Sequence, residues 1–333
     1  MTVKKISLVG VLAVAIGYPI VAHDKAGKAD AAGSETVVIW RNPTDLASRD
    51  LFYGPGGREH QPHGAFTFVK EDLDGTNPKF VVKDADGVEW KVKLGLEARP
   101  ETVASRLVWA AGYFTNEDYF LATMQIQGLP ERLHRGRKLI SPDGTVHNVR
   151  LKREIKANKK EGTWQWKDNP FVGTREINGL KVMMAVVNNW DLKDENNAVY
   201  RIGAERVYMV SDLGASFGTD GRSWPPEKTK GNLTTYEESK FVRDVTDNLV
   251  DFRVPGRPKW VCIVNPKEYF RRIGLESIGH RIPREDARWM GELLSHLSQN
   301  QLRDAFRSAG YTPAQVEGFT EVVRKRIGAL TDL

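Results

Sequence analysis

The chain has 333 residues, of which 40% are hydrophobic, with 9 Trp and 13 Phe; this excludes a disordered protein and suits a two-lobed body or two modest domains. Its net charge of +6 favours anionic partners such as nucleotides or phosphorylated substrates, but it is too small to indicate nucleic-acid binding. With 1 Cys, Cys262, the chain cannot form an intramolecular disulfide, so its stability must come from core burial.

Residues 1–22 have the pattern of a secretory signal peptide. Lys4 and Lys5 precede an apolar run from Ile6 to Ala22, and a polar segment rich in Ala and Gly follows. We expect cleavage after Ala22; an uncleaved run would be barely long enough to form a single membrane anchor. Both alternatives predict an exported protein, periplasmic or secreted, with no further membrane span.

Residues 23–65 are predicted to form an N-terminal extension that packs on the main body. The extension contains a short apolar run from Thr36 to Trp40 and a glycine-rich turn at residues 53–57. That turn does not match the Gly-x-Gly-x-x-Gly phosphate loop, so a plain turn is the better interpretation. His60 and His63 have no evident third metal ligand nearby and also indicate a surface turn.

From Phe66 the sequence alternates between strands and turns. The pattern predicts strands over residues 66–71, 80–83, 88–94, 119–127 and 146–153, and a helix over residues 99–112. Pro100 lies in the first turn of that helix, and Gly112 ends it. Residues 150–160 are strongly basic and are predicted to form a solvated connector between two lobes.

The second half of the chain is predicted to be mainly helical. The expected elements are helices over residues 171–189, 283–297, 298–309 and 312–327, and two short strands over residues 199–202 and 206–210. We expect Met183 and Met184 to fill the core rather than to bind a cofactor.

Polar residues characteristic of phosphoryl transfer follow the first of these helices. Asp191, Lys193 and Asn196 lie in one short string, and Asp212 follows the next strand pair. A kinase needs one carboxylate beside the attacking hydroxyl, and an amide with a second carboxylate on magnesium. Asp191, Asn196 and Asp212 supply these three groups in that order.

Two further residues extend this pattern upstream. Lys93 lies on the third predicted strand, and Glu101 lies at the start of the helix that follows. A kinase uses a strand lysine on the nucleotide phosphates and a helix glutamate that fixes the lysine by an ion pair. The order of elements therefore predicts an α+β, two-lobed protein-kinase-like fold with an antiparallel-sheet N-lobe and a mainly helical C-lobe.

Short motifs sharpen this interpretation. Residues 75–79, Gly-Thr-Asn-Pro-Lys, resemble the Gly-x-x-Pro-Lys loop of the HipA-like kinases, and residues 212–218 resemble the magnesium loop of the phosphoinositide kinases. The similarity covers roughly residues 66–218. It implies an N-lobe over residues 66–155, a C-lobe over residues 156–333, and the use of ATP and Mg²⁺.

The resemblance also implies roles for single residues. Gly75 and Lys79 would form the phosphate loop, Lys93 would contact the α- and β-phosphates, and Glu101 would be its partner. Asp191 would be the catalytic base, and Lys193 would contact the γ-phosphate. Asn196 and Asp212 would be the magnesium ligands.

Several of these assignments have competitors. Lys91 lies on the same strand face as Lys93, Glu97 competes with Glu101, and Asn197 replaces Asn196 if the loop slips by one residue. Residues 189–190 are Asn-Trp where protein kinases have His-Arg, so the loop must be anchored differently. Each residue alone also has an ordinary explanation, such as an exposed strand lysine or a turn aspartate.

The leading functional hypothesis is an ATP- and magnesium-dependent phosphotransferase acting on an unidentified hydroxyl substrate. Export argues against it, since compartments outside the cytoplasm supply little ATP. The alternatives are a catalytically silent kinase-like module that binds a nucleotide, a phosphorylated ligand or a protein partner, and a nucleotidyl transferase with the same residues. The sequence contains no Gly-x-Ser-x-Gly elbow and no His-Glu-x-x-His helix, which disfavours a hydrolase.

Overall fold

The computed structural model describes residues 36–74, 77–218, 230–254 and 261–333, apart from the side chains of residues 261, 268 and 272. The predicted signal peptide and Gly75 lie outside these ranges. Among the described residues, no helix combines the length and the apolar character needed to cross a bilayer.

The described strands fall into three groups. They are β1 (Thr36–Val38), β2 (Phe66–Asp72), β3 (Lys79–Lys83), β4 (Glu89–Leu94), β5 (Asp118–Gln127), β6 (Thr145–Arg153), β7 (Lys159–Gly162), β8 (Asn197–Ile202), β9 (Glu205–Val210), β10 (Val242–Val245), β11 (Leu249–Phe252) and β12 (Ile282–Pro283). Strands β2, β3, β4, β6 and β5 close into a barrel in that order. Strands β1, β9, β8 and β7 form a second sheet, and β10 to β12 form a third.

The described helices lie mostly in the second half of the chain. They are α1 (Ala98–Ala110), α2 (Arg175–Val186), α3 (Leu233–Glu238), α4 (Val261–Val264), α5 (Pro266–Glu276), α6 (Arg284–Ser295), α7 (Gln299–Arg307) and α8 (Pro313–Thr331). The barrel, which is antiparallel except where β2 pairs in parallel with β5, forms one lobe with α1, and the remaining helices with the β8–β9 hairpin form the other. The predicted fold class is therefore confirmed.

The barrel interior is apolar because alternate residues of each strand point inward. Phe80, Val82, Trp90 and Val92 are all buried there. The β3–β4 turn fixes their register, since the Asp84 carboxylate accepts hydrogen bonds from the Val88 N–H and from Trp90 Nε1. Val82 thereby lies opposite Trp90.

The opposite face of the same strands carries cations. The register places Lys79 opposite Lys93, and Lys93 opposite Arg150. Three basic residues therefore form a row across β3, β4 and β6. Like charges in such a row repel one another, so this face requires nearby carboxylates.

Helix α1 packs on the cationic face and supplies these carboxylates. It follows β4 after a three-residue connection, and Gly112, with a φ of 93°, lies just beyond its end. A side chain at Gly112 would collide with the backbone carbonyl of Arg41, so the close approach there requires glycine. Glu97 and Glu101 lie at the start of α1, where the helix dipole favours negative charge.

The helical core is built around α2, α6 and α8. Met183 and Met184 are buried in it, as predicted. Helix α2 is shorter than the predicted 171–189, because Thr174 caps its start and Asn188 has a φ of 52° just after its end. Capping boxes at Ser298 and Thr312 begin α7 and α8.

One part of the chain differs from its predicted structure, and a second has a strand that was not predicted. Residues 150–160 are not a solvated connector: Arg150 is buried within β6, and Lys159 begins β7. In the N-terminal segment, the short run from Thr36 forms β1 and pairs in parallel with β9. Pairing partners distant in sequence determine both outcomes, so neither was visible in the local pattern.

Candidate active site

Lys93 lies at the centre of a buried cluster of charges. It is the penultimate residue of β4 and is 2% exposed. Its ammonium Nζ lies 2.8 Å from Glu101 Oε2, 3.1 Å from Glu97 Oε2 and 3.0 Å from Asp212 Oδ2. One cation therefore joins strand β4, helix α1 and the loop after β9.

Both candidate helix glutamates contact this lysine. Glu101 is buried in the first turn of α1, and Glu97 is the residue just before the helix. Glu97 also accepts a hydrogen bond from Asn77 Nδ2 at 2.5 Å and contacts the Lys230 ammonium. The two residues are thus neighbours in one cluster, and Glu97 connects it to the residues that precede β3.

Arg150 completes the cluster from the adjacent strand. Its Nη2 lies 2.8 Å from Glu101 Oε1, and its Nε lies 3.7 Å from Asp118 Oδ1. The sequence pattern had placed Arg150 both in the predicted strand over residues 146–153 and at the start of the predicted connector. The missed signal is strand alternation, since Arg150 shares its face with Lys152 and lies directly opposite Lys93.

Burial and charge act against each other in this cluster. Burial would lower the pKa of Lys93, but the carboxylates of Glu101 and Asp212 outweigh it and raise that pKa above its ordinary value. Burial would raise the pKa of Asp212, but the Lys93 ammonium and the Gly214 N–H hold it well below its ordinary value. Burial raises the pKa of Glu101 despite the two neighbouring cations. Asp212 is therefore the carboxylate most firmly held in its charged form.

Lys79 lies beside the cluster without joining it. It begins β3 directly opposite Lys93, and burial lowers its pKa. Among the described residues, no carboxylate lies within ion-pair distance of its ammonium. Its predicted phosphate-loop role stays a prediction, and its partner Gly75 lies outside the described residues.

The Asp191 loop is held by hydrogen bonds within the loop. The Asp191 N–H donates to Asn189 Oδ1 at 3.0 Å, so Asn189 anchors the loop where protein kinases have histidine. Lys193 Nζ lies 2.9 Å from Asp191 Oδ1. Asn196 Nδ2 donates to the Asp191 carbonyl at 2.6 Å, which closes the loop on itself.

Backbone hydrogen bonds join this loop to Asp212. The Asn196 carbonyl accepts from the N–H groups of Ser211 at 2.8 Å and Asp212 at 3.2 Å. The Trp190 N–H donates to the carbonyl of Ala215 at 3.3 Å. The two predicted magnesium ligands, Asn196 and Asp212, are therefore neighbours through the backbone.

The alternative residues for two of these roles make other contacts. The Lys91 side chain is 37% exposed and lies 3.9 Å from Glu154. Asn197 is buried in β8, and its Nδ2 donates to the Trp164 carbonyl at 2.9 Å. Neither residue reaches the Lys93 cluster in the described contacts.

The donor set fits a hard divalent cation. Carboxylate oxygens of Glu97, Glu101 and Asp212 lie within 4.8 Å of one another, but the two glutamates are committed to Lys93. The Asp212 side chain is 39% exposed and can bind an ion from the open side of the cluster. Carboxylate and amide oxygens are the donors that magnesium takes in nucleotide sites, so Asp212 and Asn196 are the residues that could hold it.

The barrel strand order, the ion pair between Lys93 and Glu101, and the junction between the Asp191 loop and Asp212 define a divergent protein-kinase-like fold. The HipA-like resemblance in particular stays a prediction.

Comparison with known proteins shows a similarity of structure and none of sequence. No protein-family model and no curated protein matches the sequence. The fold is similar to the crystal structure of the Helicobacter pylori proinflammatory kinase CtkA, with 9% identity and a TM-score of 0.46 over 81% of this chain and 98% of that chain. It is also similar to the crystal structure of the golgi casein kinase, with 7% identity and a TM-score of 0.40 over 88% and 76% of the two chains. Likeness this weak identifies neither a substrate nor an activity.

Proposed function

We propose that the protein is an ATP- and magnesium-dependent phosphotransferase that acts on a hydroxyl group. One observation carries this proposal: Lys93 pairs with both Glu101 and Asp212, and Asp212 is hydrogen-bonded through its backbone to the Asp191 loop. Residues without a shared function have no physical reason to follow this order in the sequence and also to meet in one cluster. A phosphoryl-transfer site requires these groups together.

Lys93 and Asp191 have different tasks in this mechanism. The Lys93 ammonium neutralises oxygens of the nucleotide phosphates, and Glu101 holds it in position. The acceptor hydroxyl oxygen forms a bond to the γ-phosphorus, while the bond from that phosphorus to its bridging oxygen breaks. The acceptor proton passes to the Asp191 carboxylate, and ADP leaves with the bonding electron pair.

Asp212 and Asn196 would hold the magnesium ion, which when bound neutralises charge on the transferring phosphate. Because the pKa of Asp212 is held low, its carboxylate is ionised near neutral pH. The backbone bond from Asp212 to Asn196 fixes the spacing of the two donors before any ligand binds.

The test is transfer of label from γ-labelled and α-labelled ATP with magnesium, beside an Asp212→Ala variant. We expect γ-label transfer that requires both magnesium and Asp212. Transfer of α-label would instead support a nucleotidyl transferase. A nucleotide that raises the melting temperature without any transfer would support a silent binding module.

We also propose that the protein acts outside the cytoplasm, because residues 1–22 have the composition of a signal peptide. Expression of the full chain with a C-terminal tag, followed by cell fractionation, tests this. Recovery of the full-length protein from the cytoplasm alone would contradict it.

A further inference from the structure

A cavity of about 870 Å³ adjoins the charged cluster at the carboxyl end of β4. It is lined by the turn before β3, the β4–α1 connection, the residues after the Asp212 loop, and the start of α8. Glu97 and Lys230 belong to both the cavity wall and the cluster. A ligand in this cavity would therefore lie next to the groups that handle the phosphate.

Arg99 lies in the cavity wall, and no carboxylate of the described residues is within ion-pair distance of its guanidinium. Its guanidinium lies 5.7 Å from the ring centre of Phe120 and 5.6 Å from that of Tyr311. Its Nε is buried and has no hydrogen-bond partner among the described residues. A buried donor left without an acceptor costs free energy, so this group is suited to receive one from a ligand.

Tyr311 presents a second unused polar group in the same wall. The residue is 7% exposed, and its hydroxyl is buried without a hydrogen-bond partner in the described part of the chain. A Cβ on Gly231 would lie 2.5 Å from this hydroxyl, so the close packing beside it requires glycine. Two unpartnered donors thus converge on one cavity.

The charge balance of the wall favours an anion. Lys230 is committed to Glu97, so these two charges largely cancel. Arg99 remains, although it lies in the first turn of α1, where the helix dipole disfavours a cation. A bound anion would interact favourably with both the guanidinium and the helix start.

The rest of the lining is largely apolar. Pro78, Leu94, Leu96 and Leu139 contribute to it, and the polar residues Asn77, His147, Asn148 and Gln315 lie among them. A ligand that fills this cavity therefore combines an apolar body with a single anionic group. Such a ligand would bury apolar surface and also supply the missing hydrogen-bond acceptor.

We propose that this cavity binds an acceptor substrate through a carboxylate or phosphate group held by Arg99 and Tyr311. The proposal rests on the phosphotransferase function and names its substrate class: a partly apolar, anionic molecule that also carries a hydroxyl. Its hydroxyl would lie toward Glu97 and the Lys93 cluster, while its anionic group would lie against Arg99.

The test is calorimetric titration of the full chain with phenyl phosphate and with benzoate, using benzyl alcohol as the uncharged comparison. We expect an anion to bind at least about tenfold more tightly than the alcohol, and Arg99→Gln to weaken that binding about tenfold or more. Arg58→Gln, which removes an exposed arginine outside the cavity, is the matched control and should bind like the wild type. Failure of both anions to bind, or equal binding by Arg99→Gln, overturns the proposal.

Tyr311→Phe is a second test of the site, in case Arg99→Gln does not fold. It removes one oxygen that no described residue contacts by a hydrogen bond, so the melting temperature should be unchanged. We expect anion binding several-fold weaker than in the wild type. Wild-type affinity in this variant would count against the proposed site.

A parallel titration with a non-hydrolysable ATP analogue and magnesium separates this proposal from the function on which it rests. Nucleotide binding without Arg99-dependent anion binding overturns the cavity assignment and leaves the phosphotransferase standing. Arg99-dependent anion binding without nucleotide binding supports the anion site and overturns the phosphotransferase. Transfer of γ-label to 4-(hydroxymethyl)benzoate, reduced in Arg99→Gln, supports both.

Discussion

The Lys93 cluster and the Asp191 loop are positioned by different forces. Lys93 is almost fully buried and is held by opposite charges from three separate parts of the chain. Asp191 is half-buried and is held by hydrogen bonds to residues within five positions of it in sequence. The cluster is therefore assembled by tertiary structure, and the loop largely by local structure.

This difference predicts how each region responds to mutation. Removing a charge from a buried cluster leaves its partners unpaired in a medium that solvates them poorly. Removing a charge from a loop held by hydrogen bonds leaves the geometry intact and changes only the chemistry. Stability and activity should therefore change together in the first region and separately in the second.

Lys93→Met should have the largest effect. It leaves three carboxylates without their shared cation, which we expect to cost about 3–5 kcal/mol of unfolding free energy and to abolish detectable phosphoryl transfer. Urea denaturation followed by circular dichroism measures the first effect, and γ-label transfer measures the second.

Lys91→Met is the matched control for that variant. Lys91 lies two residues earlier on the same strand face, but its side chain is 37% exposed. We expect its unfolding free energy to change by no more than about 0.5 kcal/mol. Equal destabilisation by the two variants would show that the cluster has no special role in stability.

Asp191→Asn should separate chemistry from binding. The amide has nearly the same shape as the carboxylate but cannot take up the proton of the substrate hydroxyl. The transfer rate should therefore fall by about 10²–10⁴. The melting-temperature increase caused by ATP and magnesium should persist. Asp194→Asn, in the same loop, is the control and should transfer label at nearly the wild-type rate. A loss of nucleotide binding in Asp191→Asn would place this carboxylate in the binding site instead.

The sequence alone predicted the Asp191 loop more completely than the Lys93 cluster. The Asp191 loop could be recognised as a short sequence motif, because its residues lie close together in the chain. The pairing of Lys93 with Glu101 followed from the order of strand and helix. Arg150 was missed because its contact with Glu101 depends on the pairing of β6 with β4, and Arg150 lies 49 positions after Glu101 in the sequence.

The same reasoning explains the errors in the fold. Barrel strands have regular alternation and clear turns, so their predicted bounds lie close to the observed ones. Strands β10 to β12 are short and only partly apolar, so no local pattern distinguishes them from loops. Helix α2 was predicted too long because its apolar spacing continues to Val187, directly before Asn188, where the backbone turns left-handed.

The pH dependence of stability sharpens the comparison further. The pKa of Asp212 is lowered in the folded protein, so its ionised form stabilises the fold above the unfolded value of about 3.9. That contribution is lost as the pH falls through the folded pKa. Because the side chain is 39% exposed, solvent screening limits it to about 1 kcal/mol.

Comparing the wild type with Asp212→Asn by denaturation at several pH values measures this contribution. The difference in unfolding free energy should be constant between pH 8 and pH 5 and should shrink below about pH 4. A difference that grows with acidification would contradict the assigned direction of the pKa shift.

Asn189→Ala should have the smallest effect of the four. It removes the acceptor of the Asp191 N–H, which is worth about 1 kcal/mol, but leaves the bond from Asn196 to the Asp191 carbonyl. The transfer rate should fall several-fold while the nucleotide KM stays unchanged, because the loop keeps its contact with Asp212 through Ser211. Asn189→Ser keeps an acceptor oxygen without burying a charge at a position that is 1% exposed, and it should recover part of the rate. If the serine variant is as slow as the alanine variant, the hydrogen bond does not position Asp191, and the loop depends on its junction with Asp212 alone.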